Sequence, residues 1–182
     1  MKKYVLTETT KEWMGITLYQ IKAVRDIPEQ DIEEGELGGW IADEKNLDQD
    51  GDAWVSGDAW VYGNARVYGN ARVSGDAWVY GNARVYGNAR VESRKHIFWA
   101  SSVGSEDGTL TAYTIKTGEI EITRGCFRGT VEEFETAVRK RHDGSRYSEE
   151  YLVLVEYIKL RFREVTVTVT EIDEPETDEE SA

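Results

Sequence analysis

Arginine and aromatic side chains that could hold a phosphorylated ligand are concentrated between residues 99 and 142. Arg124 and Arg128 flank Phe127, just before a helix predicted to begin at Thr130. Arginine forks and the free amides of a helix N-terminus bind phosphate, and aromatic rings stack on nucleobases. We therefore predict a ligand site made of Arg124, Arg128, Phe127, Trp99, Tyr113, Thr130 and His142. The alternative is that these residues form ordinary surface or a subunit contact. For the basic run 139–142 the alternative is that its charges only complement the helix dipole.

The charge of the chain limits what that ligand can be. The net charge is −13, which argues against general binding of DNA, RNA or anionic membranes. The acidity is uneven: residues 26–50 carry ten acids and one lysine, whereas residues 51–100 carry six bases and four acids. We expect a small anion to find a local basic site, and no nucleic-acid polymer or membrane as partner.

A six-residue repeat provides the first of the structural elements that must position these residues. From Gly51 to Glu92 the chain reads as seven consecutive hexads of the form Gly-Asp/Asn-Ala-Trp/Arg-Val-x. A period of six predicts a parallel β-helix of triangular section, with one hexad on each side. Valine and alanine would face inward, and glycine with Asn or Asp would turn the corners. We predict a mainly β fold, a short left-handed parallel β-helix of about 2–3 coils between two caps.

With eighteen residues per coil, the outward positions sort into three columns. Adjacent layers would lie one strand spacing apart, about 4.8 Å. The columns are a mixed one (Trp54, Arg72 and Arg90), an aromatic one (Trp60 and Trp78) and a basic one (Arg66 and Arg84). Stacked aromatic residues form an apolar surface that favours a homotrimer. We predict an interface centred on Trp60 and Trp78, with Arg66 and Arg84 at its rim, and with Trp54 and Arg72 also contributing.

Both open ends of so short a solenoid need covering. Four units are predicted: an N-terminal β cap (1–44), the β-helix (45–96), a C-terminal α+β cap (97–172) and an acidic disordered tail (173–182). The N-terminal cap has two strands and a paired-glycine turn that delivers Trp40. The C-terminal cap has a hairpin around 116–119, a helix opened by a capping box at Thr130, a second helix capped by Ser148, and a strand over 165–172.

Catalysis is disfavoured by the residue counts. Enzymes on triangular β-helices use histidines, either for acyl transfer or in groups of three for zinc, and this chain has only His96 and His142. Cys126 lies before a helix start and could be a nucleophile, but a small buried residue is the preferred interpretation. As the single cysteine, it excludes an internal disulfide. We predict a non-enzymatic protein with no cofactor and no metal, and keep an enzyme as a minor alternative.

The whole pattern resembles a group of small phage and prophage proteins. The residues that carry the resemblance are the turn Gly35–Trp40, the hexads and the stretch from Gly125 to Thr130. Some compact phage β-helix proteins are immune-evasion sponges that bind cyclic nucleotide signals of bacterial defence systems such as CBASS. The resemblance implies a bacteriophage sponge that sequesters a cyclic oligonucleotide or cyclic ADP-ribose type signal. The alternative is a structural or protein-interaction module, either a virion component or a binder of a host protein.

The N-terminal sequence indicates where in the cell the protein is expected to act. It has two lysines but neither an apolar core nor a small-residue cleavage site, so it does not read as a secretory signal. No apolar run approaches the length of a membrane span. We expect the protein to act in the cytoplasm of the host bacterial cell.

Overall fold

The computed structural model describes residues 2–165, which are mainly β with two α-helices. The elements are β1 (Tyr4–Trp13), β2 (Ile16–Ala23), the 3-10 helix η1 (Pro28–Gln30), β3 (Leu37–Ile41), the 3-10 helix η2 (Glu44–Asn46), β4 (Trp54–Val55), β5 (Trp60–Val61), β6 (Arg66–Val67), β7 (Arg72–Val73), β8 (Trp78–Val79), β9 (Arg84–Val85), β10 (Arg90–Val91), β11 (Ile97–Val103), β12 (Gly108–Thr114), β13 (Ile120–Arg124), β14 (Phe127–Thr130), α1 (Val131–His142) and α2 (Arg146–Arg161). Within this range no helix is both long and apolar enough to cross a membrane.

Two predictions fall on the end of the chain. The strand predicted over 165–172, apart from Val165, and the acidic tail 173–182 lie outside the described residues. The predicted unit boundaries at 44, 96 and 172 stay predictions.

The hexads stack with a period of eighteen residues, as predicted. The parallel pairs are Trp54 with Arg72, Arg72 with Arg90, Trp60 with Trp78, and Arg66 with Arg84. Every hexad valine and alanine has a relative exposure of 0%, because these are the only side chains small enough for the narrow interior. The hexad glycines turn the corners with positive φ, for example 70° at Gly63.

The N-terminal cap extends one of the stacked sheets. β1 and β2 form an antiparallel hairpin, β2 pairs with β3, and β3 pairs in parallel with β5. Trp40 of β3 therefore lies in register with Trp60, and Ile41 with Val61. The cap covers the end of the aromatic column and leaves no free backbone edge on β5.

Gly38 and Gly39 do not make the sharp turn that the sequence predicts, since both lie inside β3. What they provide is close packing. A Cβ atom on Gly38 would lie 2.5 Å from the Ile21 side chain and 2.6 Å from the Val55 carbonyl oxygen. The prediction was wrong because a glycine pair signals either a turn or a close approach, and the sequence does not distinguish them.

The C-terminal cap is an antiparallel sheet in the order β11-β12-β13-β14, with α1 and α2 packed on it. The predicted hairpin is β12–β13, and α1 begins at the predicted capping box, in which the Thr130 hydroxyl accepts from the Glu133 amide. The sequence pattern does not predict β11 or β14. The second helix is capped by Ser145, so the predicted cap at Ser148 is wrong by three residues.

The two faces of this sheet contact different cores. Leu110 and Ala112 of β12 join the core beneath α1 and α2. The alternate residues face the solenoid: Tyr113 belongs to the solenoid core, and the Thr111 hydroxyl accepts from the Arg84 amide at 3.2 Å. The sheet therefore closes the last coil with one face and carries the helices on the other.

Lys3 lies at the opposite end of the solenoid. Its side chain is fully buried, and its Nζ donates to the carbonyl oxygens of Gly51, at 3.2 Å, and Asp50, at 3.4 Å. These carbonyls belong to the first coil, which has no coil beyond it. Burial lowers the pKa of Lys3 from 10.5 to about 8, although the Asp48 and Asp52 carboxylates oppose the shift.

Lys3 should make stability depend on pH. Between about pH 8 and 10.5 the unfolded chain keeps the Lys3 proton and the folded chain releases it, so the free energy of unfolding rises with pH across this window. We expect Lys3→Met to flatten that rise, by up to about 1.4 kcal/mol per pH unit. Urea unfolding at several pH values between 7.5 and 9.5 measures the slope. Lys116→Met, at an exposed site, is the control; equal slopes for all three proteins would contradict the assignment.

Candidate anion-binding groove

The mixed column is covered by the loop that follows β2. Trp54 is fully buried in one hydrophobic cluster with Ile27 and Ile32 of this loop. The half-buried Arg72 donates through Nη1 to the Gln30 carbonyl oxygen at 3.3 Å. The expectation that Trp54 faces solvent or a partner is therefore wrong, because the acidic loop buries its two isoleucines against this column.

The aromatic column is partly covered by the N-terminal hairpin. The rings of Trp60 and Trp78 stack with centroids 4.8 Å apart, and Trp13 contacts both edge-on, at 5.6 and 5.5 Å. Lys11 places its Nζ 4.0 Å from the centroid of Trp40. Trp60 and Trp78 remain half-buried, and their role in a subunit interface stays a prediction.

The basic column is the one that remains open. Arg66 and Arg84 are exposed and in register on β6 and β9. Two cavities, of about 590 and 640 Å³, lie along them. Both cavities are lined by Lys45, Arg66, Tyr68 and Arg84, and we call this continuous surface the basic groove. Lys45 comes from η2, which is anchored beneath β6 because Asn46 donates to the Ala65 carbonyl oxygen at 2.8 Å.

The three cations shared by the two cavities of the basic groove lack ion-pair partners within the described residues. Among residues 2–165, Lys45, Arg66 and Arg84 form no ion pair. The cavity of about 590 Å³ is lined by these three residues, Arg124 and a single acid, Glu106, so its side chains carry four positive charges against one, or +3. The other cavity adds the acids Glu44 and Asp48, so the whole groove carries four positive charges against three, or +1, in a chain of net charge −13. Since like charges one strand spacing apart repel each other, a bound anion would relieve the repulsion.

Neutral donors complete the basic groove. Tyr68 and Tyr86 stack with centroids 4.8 Å apart, and Asn64 donates to Asn82 at 3.2 Å. Burial raises the pKa of both tyrosines above 10, so their hydroxyls stay protonated near neutral pH. A protonated phenol donates a hydrogen bond, and an asparagine amide does the same. The groove therefore offers anion-binding groups of two kinds, arginine forks and neutral donors.

Arg124 and Arg128 do not converge on one ligand. In the β13–β14 ladder Arg124 lies opposite Phe127, whereas Arg128 lies opposite Thr123, so the two arginines occupy opposite faces of the sheet. Arg128 pairs with Glu121 at 2.8 Å and lies 5.0 Å from the centroid of Tyr86. Arg124 faces the helices, and its Nη2 donates to the Val103 carbonyl oxygen at 2.9 Å. A shared phosphate cradle is excluded by strand alternation.

Tyr113 and Thr130 are also unsuited to the predicted roles. Tyr113 is fully buried, with its hydroxyl 2.7 Å from Glu121, so its ring cannot stack on a base. The Thr130 amide donates to its own capping partner, Glu133, at 2.8 Å. Glu132 and Glu133 both lie in the first turn of α1, and their negative charge opposes a phosphate there.

Phe127 and His142 share a second, smaller cavity of about 200 Å³, which we call the cap pocket. Phe127, Phe134 and Tyr151 form its aromatic wall, with neighbouring centroids 5.1 and 5.5 Å apart. Cys126 also lines the cap pocket, and it is exposed rather than buried as the sequence predicts. Trp99 lies elsewhere, edge-on to Tyr80 at 4.5 Å, in a separate cavity with Arg94 and Arg161.

Lys45, Tyr68 and Tyr86 are candidate ligand residues that the sequence pattern does not predict, and Arg66 and Arg84 are predicted at the rim of a subunit interface rather than in a ligand site. The signal was present in the repeat, because the column that contains Arg66 and Arg84 has a tyrosine two residues after each arginine. The repeat alone does not show which of the three columns the caps leave uncovered.

The stacked hexads and the two caps define the class of protein, a β-solenoid repeat protein. In agreement, the family described as YdcK beta solenoid repeat matches residues 65–81, the part of the chain that runs from just before β6 to just after β8. A search of curated proteins gave no match. The match is to one stretch of repeat, so it supports the solenoid and carries no information about a ligand.

Proposed function

We propose that the protein binds a small phosphate-bearing signal, of the cyclic oligonucleotide or cyclic ADP-ribose type, and sequesters it without converting it. The observation that supports this is the basic groove, in which Lys45, Arg66 and Arg84 lack ion-pair partners within the described residues of a strongly acidic protein. Its cavities, about 590 and 640 Å³, fall in the range of about 300–1,000 Å³ typical of small-molecule sites. A polymer would meet the surrounding negative charge, whereas a small anion would not.

The proposal extends to architecture and origin. We take the solenoid to be left-handed, with about two to three coils, and the protein to be a homotrimer with Trp60 and Trp78 near the subunit boundary. We also take it to be a bacteriophage protein that acts in the host cytoplasm against a nucleotide-signalled defence system. The resemblance to phage sponges and the half-buried aromatic column support these parts.

Calorimetric titration of the full chain tests the binding proposal. The ligands are cyclic di- and trinucleotides and cyclic ADP-ribose isomers, with inorganic phosphate as the reference anion. We expect one member to bind at micromolar concentration or tighter, and to be recovered chemically intact from the denatured complex. Affinity weaker than about 1 mM for every member, which is roughly 4 kcal/mol, would refute the proposal, as would conversion of the bound ligand. Light scattering of the same sample gives the number of subunits.

A protein-interaction module is the second candidate. It is favoured by the exposed apolar side chains of α2, namely Val153, Tyr157 and Leu160. A surface of this kind often marks a protein contact. Recovery of one stoichiometric partner from a host lysate, without co-purifying nucleotide, would favour this function over the first.

A further inference from the structure

Arg124 stands between the two cavities of the C-terminal half. The cavity of about 590 Å³ in the basic groove and the cap pocket share three lining residues, Glu106, Arg124 and Gly125. The two spaces therefore meet at the end of β13. The first is lined mainly by cations, tyrosines and amides, and the second by aromatic and aliphatic side chains together with Arg141 and His142.

The charge of Arg124 is poorly compensated at this junction. Its side chain is 10% exposed, and the nearest carboxylate, that of Glu106, lies 4.0 Å from Nη1. That carboxylate is largely exposed, at 70%, so solvent weakens the pair further. Within the described part of the chain, Arg124 Nε has no hydrogen-bond partner. This cation is held nine-tenths out of water, and its compensation is the Val103 carbonyl oxygen, the Tyr151 ring at 5.9 Å and one exposed carboxylate, so it favours an anionic group in the adjoining space.

The aromatic and aliphatic side chains of the cap pocket make it suitable for a flat ring, and Arg141 and His142 add polar groups to its lining. Its volume of about 200 Å³ is smaller than the roughly 300–1,000 Å³ of a complete ligand site, so it accommodates a fragment of a ligand. Phe127, Phe134 and Tyr151 present ring faces and edges, and Ala137 and Val138 of α1 complete the apolar lining. Aromatic walls of this kind stack on nucleobases without demanding one base in particular.

We propose that the ligand is bipartite: its phosphates occupy the basic groove and one nucleobase occupies the cap pocket, with Arg124 beneath the link between them. This inference rests on the proposed function and makes it more specific, because it distinguishes a nucleotide from any other polyanion. The groove supplies charge, and the cap pocket supplies the preference for a base.

The test compares two probes that differ only in their bases, the dinucleotide pApA and the corresponding abasic diphosphate. We expect wild-type protein to bind pApA at least tenfold more tightly in calorimetric titration. Ala137→Trp, which fills the cap pocket, should remove this preference while leaving the affinity for the abasic probe within twofold. Val153→Trp, at an exposed position of α2, is the matched control and should keep the preference.

A second readout needs no variant. Cys126 is exposed and lines the cap pocket, and it is the single cysteine of the chain. We expect pApA to slow its alkylation by iodoacetamide severalfold, and the abasic probe to leave the rate unchanged. Equal affinity of the wild type for both probes, or an unprotected Cys126 at saturating pApA, would overturn the bipartite ligand while leaving the proposed function intact. If neither probe nor any cyclic nucleotide binds, the proposed function fails as well.

Discussion

Replacing both Arg66 and Arg84 with glutamine is expected to weaken binding of the tightest cyclic nucleotide by about 100-fold or more. Each substitution removes a charge-assisted hydrogen bond to phosphate, which contributes about 1.5–3 kcal/mol. Because about 1.4 kcal/mol is a factor of ten in affinity, the two losses together exceed two decades. Both side chains are exposed and make no ion pair within residues 2–165, so the fold should be retained. Calorimetric titration measures the effect.

The matched control is Lys95→Gln with Lys140→Gln. This pair removes the same two positive charges from exposed positions that line neither the groove nor the cap pocket. Its affinity should stay within about threefold of wild type, since exposed charges at a distance are screened by salt. If both double variants weaken binding equally, net charge alone controls affinity, and the basic groove is not the site.

Gly38→Ala is expected to lower the free energy of unfolding by about 3 kcal/mol. The new Cβ would lie 2.5 Å from Ile21 and 2.6 Å from the Val55 carbonyl oxygen, and the latter belongs to the backbone of a neighbouring coil. Overpacking of this kind costs about 1–3 kcal/mol and more where backbone must move. For a domain of this size the melting temperature should fall by about 6–12 °C, measured by circular dichroism.

Gly118→Ala separates this steric effect from backbone strain. Gly118 has a φ of 86° in the β12–β13 turn, and a Cβ there would meet no atom within 4 Å. It should cost only the left-handed strain, about 1–2 kcal/mol. A Gly38→Ala protein as stable as Gly118→Ala would show that β3 can shift outward, and that the close approach of β3 to the first coil is not required.

Repetition explains how much of the fold could be predicted from the sequence. Seven consecutive hexads each place a small residue inward and a glycine at the corner, which leaves one packing solution. The partners of Arg66 and Trp60 therefore follow from counting eighteen residues along the chain. The capping box at Thr130 could also be predicted, because it involves only Thr130 and Glu133. The caps were harder to predict, because β11 and β14 lack strong alternation and their strand structure depends on pairing with β12 and β13. The position of Gly38 inside a strand depends on a coil that lies more than ten residues further along the chain.

The arrangement of the candidate-site residues depends even more strongly on contacts between residues that are far apart in the sequence. The sequence places Arg124 and Arg128 close together, and strand alternation then turns them to opposite faces. Phe127 does line a cavity, because the helix that supplies its neighbour Phe134 begins within the same segment, and its role in binding a ligand stays a prediction. Lys45 could not be foreseen as a groove residue, since its position depends on η2 packing beneath β6. Local chemistry was therefore predictable, whereas the convergence of residues from different coils was not.

The eighteen-residue stacking has a consequence for how such a protein can change in length. Duplication of three hexads would add one layer to every column, so the groove would gain another arginine and tyrosine while both caps kept their partners. Duplication of a single hexad would instead rotate each later column by one side of the triangle. Basic side chains would then lie under the N-terminal hairpin, and tryptophans would face open solvent. Relatives that differ by whole coils should therefore retain a groove of altered length, and those that differ by one hexad should need new caps.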